Sequence, residues 1–135
     1  MLEQIENIKR SRTFLLNLIK DLNVNQLNHI PGQFQNNIIW NMGHLIWAQQ
    51  DCYIIAGLKP PLGEKYIALY KKGTFPKEVL NENEVSEIKR LLIAPLDAMA
   101  NDLPADNLEL NKAIQGLALH DWLHIGYILA LKHLV

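Results

Sequence analysis

The chain has 135 residues, 49% of them hydrophobic, enough for one domain of ordinary size to bury a core without disulfides or metal staples. Its 13 basic and 14 acidic side chains give a formal net charge of −1, so no overall positive field attracts phosphate backbones or anionic lipid, and nucleic acid is not an expected partner. The lone Cys52 cannot pair within the chain, the opening Met-Leu-Glu-Gln-Ile-Glu lacks the basic and apolar regions of a secretory signal, and no stretch reaches the roughly 18 apolar residues of a membrane span. These features predict a single domain over residues 1–135 in a reducing, cytoplasmic setting, with no membrane segment.

Leu2, Ile5, Ile8, Leu15, Leu16, Ile19 and Leu22 recur mostly at steps of three or seven, which predicts a first helix over about Leu2 to Leu22 with one apolar stripe. Asn23 to Gln35 has no sustained period and contains Pro31 and Gly32, so a turn is expected there, with Asn36 or Asn37 capping the next helix. That second helix, about Asn37 to Ala56, is apolar around most of its circumference, from Ile38, Ile39 and Trp40 to Tyr53 and Ile55, and should be deeply buried.

Gly57 to Leu80 holds three glycines and three prolines and is too long for a minimal connection, so it should run the length of the molecule. A short helix within Glu64 to Lys72, with Tyr66, Tyr70 and Phe75 packed over one end, would make it a partial lid. From Val85, the residues Ile88, Leu92, Leu96, Met99 and Leu103 give a third helix, capped by the Asn81 and Glu84 pair and bent at Pro95. After Pro104, Asp106 and Glu109 repeat the capping spacing, and Ala113, Ile114, Leu117, Leu123, Tyr127, Ile128 and Leu131 mark a fourth helix. Alternating strands and hairpin signals are absent, so the expected class is all-α, a four-helix bundle with a long crossover loop between helices two and three.

The chemistry is concentrated in three histidines. His120 and His124 are four residues apart, about 40° on a helical wheel, so both rings can reach one ion. Neutral imidazole offers a nitrogen lone pair at physiological pH, and bonds of about 2.0–2.1 Å to zinc fit that reach. The pair alone is equally compatible with two packed, hydrogen-bonded rings. His44 changes the balance, because it lies in the middle of the most apolar helix, where an unbonded polar ring is costly, and Gly43 beside it permits close approach of another element. One shared metal explains both polar interruptions if helices two and four face each other. Three neutral nitrogens leave at least one coordination position for water or substrate, so the site would be open.

The run Asn-Asn-Ile-Ile-Trp-Asn-Met-Gly-His-Leu-Ile-Trp around His44, followed downstream by His-Asp-Trp-Leu-His-Ile-Gly-Tyr, resembles the DinB-like superfamily over nearly the whole chain. The resemblance implies an up-down-down-up four-helix bundle and a divalent metal, commonly nickel or zinc, held by His44, His120 and His124. It also implies a homodimer, which surplus apolar residues around helix two and the loop would support. Some relatives transfer small organic groups to or from low-molecular-weight thiols such as bacillithiol or mycothiol, and many have no assigned reaction. The family's association with DNA damage implies no DNA-binding surface.

Neighbouring residues have more modest expected roles. Asp121 makes the segment resemble the zincin His-Glu-x-x-His, but its short side chain and the distant third histidine argue against a protease, so it is expected to orient a neighbour or to be solvated. Asn41 should make a buried interhelical hydrogen bond, Asp51 should be a solvated or ion-paired carboxylate, and Tyr127 should be an aromatic core residue. Asn41 or Asp51 could instead orient an imidazole or a bound ligand, and Tyr127 could bring its hydroxyl near the metal. Cys52, two turns beyond His44 and rotated about 80° from it, should be a buried, inert thiol. His29 and His133 should lie on the surface.

Two functions compete on this reading. One is an enzyme, a thiol S-transferase or a hydrolase acting on a small organic substrate through one zinc or nickel ion, with no catalytic residue assigned beyond the ligands. The other is a non-catalytic metal-binding module, structural or stress-responsive, in which the ion ties helix two to helix four.

Overall fold

The computed structural model describes residues 1–135 and is entirely helical, with seven helices and no strand. They are α1 (Leu2–Ile19), α2 (Val24–Asn28), α3 (Ile38–Ile55), α4 (Lys65–Tyr70), α5 (Glu82–Leu91), α6 (Leu96–Asp102) and α7 (Leu108–Lys132). The long α7 packs against both α1 and α3, while α5 lies against α3 and α6 against α1. No helix is long and apolar enough to cross a membrane.

Local chemistry sets the helix boundaries. Asn37 rather than Asn36 caps α3, its side chain accepting from the Trp40 N–H at 2.7 Å. Asn81 and Glu84 form the expected reciprocal capping box on α5. A second box, Asn23 with Gln26, starts the one-turn helix α2 in a segment whose sequence shows no sustained period. The start of α7 departs from expectation: Asn107, not Asp106, is the cap, accepting from the Leu110 N–H at 3.0 Å.

The expected third helix is two helices. The chain breaks over Leu92–Pro95 because proline supplies no N–H and disfavours helical geometry at the residue before it. The Leu92 carbonyl freed at this break accepts from Arg12 Nη1 at 3.0 Å.

That bond belongs to a polar layer through the middle of the molecule. Arg12 is fully buried, in register with Ile5, Ile8, Leu15 and Ile19 on the inner face of α1. Its guanidinium donates to Asp121 Oδ2 at 2.9 Å, to the Leu45 carbonyl at 3.0 Å and to Gln49 Oε1 at 2.5 Å, and Ser11 adds a bond to Asp121 Oδ2 at 3.2 Å. Apolar residues sort to either side of this layer. Leu15, Ile19, Leu45, Ile46, Ile125 and Ile128 belong to one core cluster. Ile5, Ile8, Cys52, Tyr53, Ile114 and Leu117 belong to another.

On α7 the buried stripe is Leu110, Ile114, Leu117, Asp121, Ile125, Ile128 and Leu131. Leu123 and Tyr127, expected on the core face, are exposed instead. Steps of three and four through Asp121 carry the stripe past them, so both lie on the outside of this helix.

Candidate metal centre

His44 projects from the middle of α3, and His120 and His124 project from successive turns of α7, the helix packed against it. One nitrogen from each ring lies within 4.8 Å of the corresponding atoms of the other two. The closest approach is 3.2 Å, between His44 Nε2 and His120 Nε2. Ligand bonds of about 2.0–2.1 Å in a tetrahedral set put neighbouring nitrogens about 3.4 Å apart. The remaining separations, within 4.8 Å, leave the three nitrogens somewhat more widely spaced than that edge.

His44 is held on every side. The indoles of Trp40 and Trp47, one turn before and after it, stack on its ring with centroids 4.8 Å and 4.9 Å away. Its Nδ1–H donates to the Tyr70 carbonyl at 2.8 Å, which leaves Nε2 as the bare nitrogen facing α7. The expectation that Gly43 permits close approach is met by α4, because a Cβ at Gly43 would lie 2.5 Å from the Tyr70 ring. The missing methyl-sized branch on α3 thus seats Tyr70 where its carbonyl reaches the imidazole.

His124 is oriented in the same way, its Nδ1–H donating to Asn41 Oδ1 at 2.9 Å, and Asn41 Nδ2 donates in turn to the Asn37 carbonyl at 2.8 Å. The interhelical bond expected of Asn41 and the orientation of an imidazole are therefore one contact. His120 Nδ1 is buried without a partner. With the protons of His44 and His124 committed outward, their remaining nitrogens face a centre to which His120 can supply at most one N–H. A cation satisfies the set better than the protein does, so the residues fit a bound metal ion.

Electrostatics points the same way. Burial lowers the pKa of His44, against a raising contribution from the Tyr70 hydrogen bond, and burial also lowers that of His120, against the nearby Asp121. Burial, followed by repulsion from the other two imidazoles, brings His124 down to about 4. All three rings are neutral at physiological pH, the state that ligation requires.

The other candidates are more scattered. Asp121 is neither solvated nor in contact with an imidazole: it is fully buried, and its carboxylate faces Arg12 and Ser11 on α1. Asp51 is half-buried and forms no salt bridge. Tyr127 is not a core residue; it stands at the surface, edge-on to Phe34 with ring centroids 5.6 Å apart. Cys52 is buried, and desolvation raises its thiol pKa to about 11, so it stays protonated and inert. His29 and His133 are exposed. In the connecting segment Tyr66 and Tyr70 are packed down while Phe75 remains exposed, and Thr74 accepts from Trp40 Nε1 at 3.1 Å.

Clefts reach the triad from two sides. One of about 300 Å³ runs from His44 and His120 past Trp47, Ala48 and Leu117 to Asp51 and Lys72. The other, also about 300 Å³, joins His124 and Asn41 to Leu123 and Tyr127. A larger hollow of about 380 Å³ between α4 and α5 contains no histidine.

Sequence reasoning missed the Trp40 and Trp47 clamp, the Tyr70 carbonyl and Arg12. The first was legible as tryptophans at i−4 and i+3 from a buried histidine, and Arg12 as the missing member between Ile8 and Leu15 in the first stripe. Nothing in the sequence pointed to the Tyr70 carbonyl, since a backbone acceptor leaves no trace in residue type.

A family model for the DinB superfamily matches residues 7–128. The chain belongs to the DinB superfamily. The match spans α3 and nearly all of α7, so all three histidines of this DinB chain lie within the region shared with its family. Comparisons with curated proteins and with solved structures gave no match.

Proposed function

We propose that this chain is a single-domain, up-down-down-up four-helix bundle, with residues 57–80 as its crossover, that binds one zinc or nickel ion through His44, His120 and His124. We further propose that it acts in the cytoplasm as a metal-dependent enzyme, a thiol S-transferase or a hydrolase on a small organic substrate. The observation that carries this reading is the set of three neutral, converging imidazoles, two of them with their N–H groups bonded outward, beside an accessible cleft. When bound, the ion supplies Lewis acidity, lowering the pKa of a thiol or water at the site toward neutrality.

The chain's own residues do the rest. Tyr70 and Asn41 hold two rings in the tautomer that turns a lone pair inward, and Trp40 and Trp47 keep His44 from rotating away. The walls of Trp47, Ala48 and Leu117 exclude water from an apolar substrate body, while Asp51 and Lys72 at the cleft rim offer one charge of each sign to its polar end. The inert Cys52 does not serve as a nucleophile, which fits a reaction whose thiol arrives as a small molecule.

The structural-module reading gains less support, because Arg12 already ties α1, α3, α7 and the Leu92 turn together without a metal. Elemental analysis of the purified chain beside His124→Ala tests the proposal. One equivalent of zinc or nickel is expected in the first, with affinity weakened by about a hundredfold or more in the second. A chain without stoichiometric transition metal sinks the proposal. A metal-loaded chain that unfolds on chelation and is inactive toward electrophiles with several thiols favours the structural role instead.

A further inference from the structure

The hollow of about 380 Å³ between α4 and α5 shares no lining residue with either cleft at the triad. Leu69, Leu80 and the buried Ile88 give it apolar walls, and α4 adds Tyr66 and Tyr70. These two tyrosines are one turn apart, so their rings share a face, with centroids 5.8 Å apart and planes 29° from parallel.

Both are only 7% exposed, yet neither hydroxyl bonds to any protein atom, whereas that of Tyr53 donates to Asp102 at 2.9 Å. A tyrosine so buried ordinarily finds a partner for its hydroxyl, because a polar group taken from water and left unbonded is costly. Here only the contents of the hollow can supply one. Burial, then the Tyr66 hydroxyl and the carboxylates of Glu84 and Glu78, push the Tyr70 pKa up to about 12. Those two glutamates line the same hollow, so the Tyr70 hydroxyl is on its side of the ring.

The surroundings of the hydroxyls choose the kind of occupant. Glu78 has no salt-bridge partner, and Glu84 uses Oε1 as the acceptor for the Asn81 N–H at 3.1 Å. Glu87 is clasped by Arg90 through bonds of 2.9 Å and 2.7 Å, so the hollow lacks the set of free carboxylates that a hard metal ion requires. An anion would meet Glu78 and Glu84, and an apolar molecule would leave both hydroxyls unbonded. An ammonium group has three N–H donors and no acceptor, and the hollow offers it two hydroxyl oxygens, a carboxylate and the faces of two aromatic rings. The Tyr66 ring already draws one such group, the Lys65 ammonium, to 6.0 Å from its centroid.

We propose that this hollow is a second small-molecule site, one that takes a primary aliphatic amine. Tyr66, Tyr70, Glu78 and Glu84 hold the ammonium, and the hydrocarbon body lies on Leu69, Leu80 and Ile88. Its volume falls within the range of ligand pockets, about 300–1,000 Å³. The site is separate from the three histidines but shares a residue with their surroundings, since Tyr70 lines the hollow and its carbonyl accepts from His44.

Isothermal titration calorimetry of the purified full chain with pentylamine, at neutral pH where an aliphatic amine is protonated, tests this. One equivalent should bind with a dissociation constant on the order of 1 mM or tighter, and pentanol and pentanoate, which lack the ammonium, at least about tenfold more weakly. Tyr66→Phe/Tyr70→Phe removes only the hydroxyls and keeps both the ring against Gly43 and the carbonyl on His44. It should weaken pentylamine binding about tenfold or more with an unchanged far-ultraviolet helical signal. Glu78→Gln, at an exposed position, should weaken it about two- to fivefold. His124→Ala, which dismantles the metal centre, should bind pentylamine as tightly as the wild type, so failure of the metal proposal leaves this one standing. Absence of saturable binding up to about 20 mM amine overturns the proposal, as does equal affinity for pentanol. So does an affinity unaltered in the double tyrosine variant or in Glu78→Gln. Binding lost in His124→Ala also overturns it, because the amine would then be a ligand of the metal.

Discussion

Two polar clusters meet on adjacent residues of α7, and they are finished differently. Asp121 turns toward α1, where one of its oxygens is held by Arg12 and Ser11 and the guanidinium is in turn bonded to Gln49 and two carbonyls, while Asp121 Oδ1 and Gln49 Nε2 are buried without a partner. His120 and His124 turn toward α3, where Asn41 holds His124 Nδ1, His120 Nδ1 is buried without a partner, and His120 Nε2 lies 3.2 Å from His44 Nε2. The first cluster sets the register of α1, α3 and α7. The second uses that register to gather three imidazoles around one point, which is how a fold reserves a place for a ligand.

The largest effect expected from breaking this pairing comes from Arg12→Ala. Removing the guanidinium leaves the Asp121 carboxylate buried without its counter-charge, which should cost about 3–5 kcal/mol of stability, read from the shift in the urea unfolding midpoint. A loss below about 1 kcal/mol would mean that the buried pair is not what organises the layer. Asn41→Ala addresses the other cluster. It frees the His124 ring, so metal affinity should fall about 10- to 100-fold, while the metal-free chain loses about 1–3 kcal/mol of stability from the buried bonds removed. Competition with a chromophoric chelator measures the first quantity. An unchanged affinity would remove Asn41 from the site.

A third effect is a pH dependence from the histidine cluster. Its rings have folded-state pKa values below the ordinary 6.5, chiefly from burial, so the unfolded chain binds more protons between pH 6.5 and the value of about 4 at His124. Stability of the metal-free chain should therefore be level above pH 6.5 and decline as pH falls toward about 4. His124→Gln should decline less. A midpoint that rises on acidification would contradict the burial of neutral rings.

Periodicity was enough to read the helical class and to find the three histidines, because apolar spacing and an interrupted apolar run are properties of residue type. It was not enough where one residue's role depends on another's position. The gap between Ile8 and Leu15 in the first stripe is filled by Arg12, whose charge hides it from an apolar count until Asp121 is seen opposite. Leu123 and Tyr127 were expected inside because an apolar residue reads as buried, yet the inner stripe runs through Asp121 and leaves both outside. The break at Pro95 was expected as a bend. Its completion depends on Arg12 taking the Leu92 carbonyl, a bond between residues 80 apart in sequence.

The Tyr70 contact ties the ligand set to the long connection before α5. That residue's ring rests on Gly43 and its carbonyl holds His44, so the site's most buried imidazole is steered by a segment outside the helix that carries it. Any change that lifts α4, whether an inserted residue or a bulkier side chain at position 43, is transmitted to the ring as lost alignment. A region that would ordinarily tolerate length variation is here coupled to the three-histidine cluster, and an alteration there reaches the cluster without touching a histidine.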